Sequence, residues 1–123
     1  MQLIGRYLSK KAESLEIDLS FLLSMADGKV LLSSLDDEQK SSRHSAMSSA
    51  LLALSESFSK EVLGQQNQEL TISCETGHAV IIRITQNKHA MMLCLTCSLD
   101  ANLAQLLRLA RDAAIKIKNA KLS

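Results

Sequence analysis

The sequence predicts an α+β domain in which one antiparallel sheet carries helices on both faces. Three observations predict it. Apolar residues switch between helical and alternating periods several times along the chain. The alternating segments are joined by very short turns, which suit antiparallel neighbours. One uninterrupted helical stretch of about 25 residues spans roughly 38 Å, which crosses a whole globule of about 14 Å radius of gyration.

Ile4, Leu8, Ala12 and Leu15 recur at helical spacing and predict a first helix. From Glu16 the period becomes two. Ile17, Leu19, Phe21, Leu23 and Met25 alternate with Asp18, Ser20, Leu22 and Ser24, a strand with one strongly apolar face. Asp27-Gly28 follows, and then Lys29-Val30-Leu31-Leu32-Ser33. Asp-Gly between two apolar runs is a strong hairpin signal, because both residues tolerate the positive φ of a tight turn. The neighbouring sequence offers Asp27 no catalytic partner, so this reads as a structural corner.

The long helix comes next. Asp36 or Asp37 can cap it, Glu38 suits its first turn, and Gly64 stops it. Met47, Leu51, Leu54, Phe58 and Val62 form an apolar stripe expected to pack on the sheet. Beside it lie Ala46, Ala50 and Ala53, with Ser42, Ser45, Ser49 and Ser57. After Arg43 this small, weakly polar face is uncharged until Glu56 and Lys60. A solvated helix face is usually richer in charge. It therefore reads as a face for a partner, with an ordinary Ser/Ala-rich solvated face as the alternative.

Three strands and a helix complete the chain. Leu70, Ile72 and Cys74 alternate with Thr71 and Ser73, and Thr76-Gly77 closes a turn. His78 to Ile84 and Ala90 to Cys97 are apolar on both faces, which marks strands covered on both sides. Asp100 to Lys118 predicts the last helix, capped by Ser98 or Asp100. Leu103, Leu106, Leu107, Ala110, Ala114 and Ile117 form its buried stripe.

The bulk numbers exclude several classes. The 123 residues, 46% of them hydrophobic, suit one domain over residues 1–123 and argue against disorder. A net charge of +1 gives no strong attraction for nucleic acid or an anionic membrane. With no Trp, one Tyr and two Phe, base stacking is not expected either. No apolar run approaches the ~18 residues of a membrane span. The first 16 residues do not read as a signal peptide. Three irregularly spaced cysteines suit reduced thiols in the cytoplasm.

Little chemistry survives inspection. Cys94 and Cys97 form C-x-x-C, but in a strand positions i and i+3 point to opposite faces. His44, His78 and His89 are scattered without partners at ligand spacing. Asp36, Asp37 and Glu38 are more simply capping residues than cation ligands. There is no phosphate-binding glycine loop and no nucleophile–base constellation. No catalytic, cofactor-binding or metal-binding residue is assigned, and a non-enzymatic interaction module is expected.

The order of elements, the "ADGKVLLSS" hairpin, the long small-residue helix and "ANLAQLLRLARDAAIKI" together resemble the roadblock/dynein light chain family, over about Leu15 to Ile117. Bacterial members often show Asn-Leu-Gly before the last helix; Asn102-Leu103 match, and Ala104 replaces the glycine. The resemblance implies a five-stranded antiparallel sheet with the long helix on one face and the terminal helices on the other. It implies a homodimer, paired through the long helix and the edge strand Glu69 to Cys74. The interface would then hold Ser42, Arg43, Ala46, Ser49, Ala50, Ala53, Leu70, Ile72 and Cys74. It also implies a Ras-like small GTPase as partner, as for gliding-type members that activate one by remodelling its own catalytic residues. A dimeric scaffold subunit of a signalling or motor complex is the alternative. A ligand sensor is a third reading, but Ile82, Met91, Met92 and Leu93 read as packed core.

Overall fold

Local chemistry sets the ends of most elements. The computed structural model describes residues 2–86, 88–98 and 101–120. Within them run α1 (Gln2–Leu15), β1 (Leu19–Met25), β2 (Val30–Ser33), α2 (Glu38–Leu63), β3 (Glu69–Cys74), β4 (Gly77–Gln86), β5 (His89–Ser98) and α3 (Leu103–Asn119). All pairings are antiparallel and the sheet order is β2-β1-β5-β4-β3, so β3 is an edge.

Strand β1 starts two residues later than its alternation predicts. Glu16 adopts φ 56° and the Ile17 N–H donates to Ala12 O at 3.0 Å, closing α1 first. Asp27-Gly28 is a corner, as expected: Gly28 has φ 101°, and Asp27 Oδ1 accepts from Lys29 N–H at 3.0 Å. Asp37 caps α2, accepting from the N–H groups of Gln39 and Lys40, and Gly64 ends it at φ 81°. The α3 cap differs from both expected residues. Asn102 Oδ1 accepts from Ala104 N–H at 2.8 Å, while Ser98 ends β5 and Asp100 lies outside the described residues.

The main core lies between the sheet and α1/α3. Leu8, Leu23, Leu93, Leu95, Leu106 and Ile117 are fully buried there. Ile82, Met91 and Met92 are buried too, as the sequence predicts. Leu109 and Ala113 join Leu106, Ala110 and Ile117 on the buried side of α3, while Leu103, Leu107 and Ala114 are only half-buried.

The opposite layer corrects the reading of the long helix. The stripe Met47, Leu51, Leu54, Phe58, Val62 does not pack on the sheet; it faces outward. The residues of α2 that turn inward are Ser41, Ser45, Ser48, Leu52 and Ser59. Only Leu52 supplies apolar bulk, against Ile81, Met92, Leu70 and Cys94. The serines instead answer backbone carbonyls. Ser45 Oγ donates to Gly28 O at 2.8 Å and Ser49 Oγ to Ala26 O at 2.7 Å, so α2 sits on the β1–β2 corner. Ser41 and Ser33 hydroxyls lie 2.9 Å apart. Small side chains permit this close approach, and the hydroxyls of Ser41, Ser45 and Ser59 each have a partner on burial. Ser45→Ala leaves the Gly28 carbonyl without that donor. It is expected to lower stability by about 1–2 kcal/mol, read from the urea midpoint, although alanine is the better helix former.

Candidate functional site

Two features meet on the α2 side of the sheet. One is the ridge of exposed apolar side chains along α2: Met47 at 58%, Leu54 at 70%, Phe58 at 63% and Val62 at 59% relative exposure. Helical spacing puts Arg43, Ala46, Ala50 and Ala53 along the flank of this ridge, and all four are exposed. The other feature is β3. Its register is Leu70↔Ile81, Ile72↔Ala79 and Cys74↔Gly77. Ile81 lies beneath α2, so Leu70, Ile72 and Cys74 all face the α2 side. The outer edge of β3 pairs with no strand among the described residues.

The predicted interface residues therefore share one side of the molecule, with differing availability. Ser42, Arg43, Ala46, Ala50, Ala53, Ile72 and Cys74 are exposed. Leu70 is half-buried against Leu52, and the Ser49 hydroxyl is held by the corner carbonyl. Sequence reasoning missed the ridge itself, having assigned it to the core. A signal was present: serines at 41, 45, 48 and 59 form their own helical stripe, opposite the large apolar residues. A monomer rarely leaves so long an apolar ridge in water, which makes the ridge a candidate contact surface.

Charge on this side is local. Arg83 Nη2 lies 2.6 Å from Glu56 Oε2, and Lys60 Nζ lies 3.4 Å from Glu56 Oε1. The hydrogen bond from Arg83, ahead of Lys60, holds the Glu56 carboxyl below the usual carboxylate range. A lowered folded value stabilises above the ordinary carboxylate pKa and is lost as pH falls through the folded one. Glu56→Gln is therefore expected to lower the denaturation midpoint at neutral pH and to match the parent chain in acid, in a urea series at stepped pH. A groove of about 440 Å³ beside α2 is lined by this ion pair together with Ala53, Gln66, Thr85 and Met92.

The thiols behave separately. The Thr76 hydroxyl, then the Thr76 and Gly77 N–H groups, hold the exposed Cys74 thiol below its ordinary value. Burial pushes Cys94 and Cys97 up. Cys94 packs toward α2 and Cys97 toward the α1/α3 core, so C-x-x-C spans the sheet as expected. Among the described residues no cluster of His, Cys, Asp and Glu could hold a metal ion. No described helix is long and apolar enough to cross a membrane.

The fold has solved counterparts. A Roadblock/LC7 domain from Streptomyces avermitilis aligns at 14% identity over 87% of this chain and 90% of its own, with a TM-score of 0.73. The gliding protein MglB from Thermus thermophilus aligns at 15% identity over 94% of this chain and 85% of its own, with a TM-score of 0.76. An MglB with a tetrameric arrangement aligns at 16% identity over 95% and 86%, with a TM-score of 0.78. No family model matches the sequence, and no curated protein does. At such identities the likeness speaks for architecture alone: this chain has the roadblock fold, one five-stranded antiparallel sheet between a long helix and two terminal helices.

Proposed function

We propose that the chain is a non-enzymatic, cytoplasmic homodimer that regulates a Ras-like small GTPase. The observation that carries the reading is the exposed α2 ridge beside the open β3 edge. A second copy covers both at once. Antiparallel β3 strands join the two sheets into one, and the flanks Ala46, Ala50 and Ala53 let the two α2 helices approach. Burial at ~25 cal/mol per Å² makes several large apolar side chains worth several kcal/mol together.

The GTPase partner rests on the family resemblance of the sequence, supported by the likeness in fold to the gliding protein MglB. The paired α2 helices, with Ser42 and Arg43 at their N-terminal ends, form the surface assigned to it. Light scattering with a Ras-like GTPase loaded with GTP or GDP tests the reading. A complex that gains mass only with the GTP form, and is lost on Ala50→Glu or Arg43→Glu, supports it. A dimer indifferent to both nucleotide forms favours a scaffold. Unchanged behaviour of both variants counts against this surface.

A further inference from the structure

The whole chain carries +1, but the charge is not evenly spread. Within the bounds of α1 and α3 lie Arg6, Lys10, Lys11, Arg108, Arg111, Lys116 and Lys118, against only Glu13 and Asp112. Helix α2 is balanced, with Lys40, Arg43 and Lys60 against Glu38, Glu56 and Glu61. Arg111 is paired with Glu69. The other six cations of α1 and α3 are exposed and make no ion pair within 4.0 Å among the described residues.

Lys11, Arg108 and Lys116 gather around Tyr7, with Asp112 in the same groove, and Arg6 and Lys10 line the neighbouring groove on the β1/β2 side of α1. The two helices run antiparallel over the sheet: Lys116 Nζ lies 4.9 Å from the centre of the Tyr7 ring, and Leu15 and Gln105 line the same shallow groove. Lys11 approaches the Tyr7 ring from its own helix at 6.0 Å. Two apolar side chains project among the charges, Leu3 at 75% and Ile115 at 58% relative exposure. Like charges brought together on a flat, uncovered face repel one another until an anionic surface meets them.

We infer that the α1/α3 face docks on an anionic membrane surface. The match is chemical and geometric. The charge is spread over a broad helical layer, not focused in a cleft. Long lysine and arginine stems reach headgroups while the two aliphatic side chains enter the boundary of the acyl region. Nucleic acid draws nothing from Leu3 and Ile115. The inference is strengthened by the proposed homodimer and rests on it for one step. Antiparallel pairing of two β3 strands requires a two-fold axis normal to the sheet, so both α1/α3 layers face the same way. The dimer then presents four helices and twice the charge to one plane, leaving the paired α2 helices on the far side for a partner.

Flotation of the purified chain tests this with vesicles of phosphatidylcholine alone, or with about a third phosphatidylserine. The expected result is capture by the phosphatidylserine vesicles only, weakening with salt as the screening length shortens from ~10 Å at 0.1 M to ~3 Å at 1 M. The double variant Lys10→Glu, Lys116→Glu should bind at least about tenfold more weakly, with its melting temperature confirming that it folds. Lys60→Glu, on α2, should bind like the parent. No capture, equal capture by phosphatidylcholine, or capture insensitive to the double variant overturns the inference. So does binding of polyglutamate by a chain that ignores the vesicles, which would assign the face to an acidic protein. A chain that binds vesicles but scatters as a monomer leaves this inference standing and removes the dimer. A dimer that ignores vesicles does the reverse.

Discussion

Leu54→Asp is expected to leave the single chain as stable as its parent and to abolish self-association. Leu54 lies on the crest of the α2 ridge at 70% exposure and belongs to neither buried apolar cluster. Surface substitutions of this kind usually change stability by less than about 0.5 kcal/mol. Across the two-fold axis of the proposed homodimer the same change would bury two carboxylates in an apolar contact. The dissociation constant should rise at least about a hundredfold, the equivalent of roughly 2.8 kcal/mol. Its neighbour Leu52 behaves in the opposite way. It is 3% exposed and supplies the apolar contact with Ile81 and Met92, so Leu52→Ala should cost about 2–4 kcal/mol of folding stability. Urea denaturation and sedimentation velocity on the two variants separate the effects. If α2 were turned the other way about its axis, the two outcomes would exchange.

The largest effect of a single added methyl group is expected at Gly77. A Cβ there would fall inside the van der Waals envelope of the Cys97 carbonyl oxygen and 3.3 Å from its carbon. Those are backbone atoms of β5, held by the Gly77↔Ser98 and His78↔Cys97 pairs, so no rotamer change can yield. Gly77→Ala must splay the ends of β4 and β5. The expected loss is at least about 2 kcal/mol, or on the order of 8 °C in Tm. Gly28→Ala is the contrast. A Cβ there meets nothing within 4 Å, and only the φ of 101° resists it, at about 1–2 kcal/mol. Thermal melts of both variants check the ranking.

What was legible in the sequence was local. Asp27-Gly28, Asp37 and Gly64 each carry out in the structure the chemistry that their residue types announce. Strand periodicity gave the faces of β3 and β5 correctly, placing Leu70, Ile72 and Cys74 together and Cys94 opposite Cys97. The facing of α2 was not legible, for a physical reason. Met47, Leu51, Leu54, Phe58 and Val62 avoid water equally well against a sheet or against another molecule, and helical period alone does not distinguish the two. The deciding contacts are tertiary. Ser45 and Ser49 find the carbonyls of Gly28 and Ala26, seventeen and twenty-three residues away in the chain. The α3 cap was missed because β5 continues through Ser98 and the helix begins only at Leu103, which puts Asn102 at its N-cap. The charged α1/α3 face was hidden by a whole-chain sum that cancels across the molecule.

The central claim is that a second copy covers the α2 ridge, and solution mass tests it most directly. Light scattering across a wide concentration range should give twice the chain mass for the parent and the mass of one chain for Leu54→Asp. A parent that stays at the mass of one chain at every concentration, indistinguishable from Leu54→Asp, would contradict it.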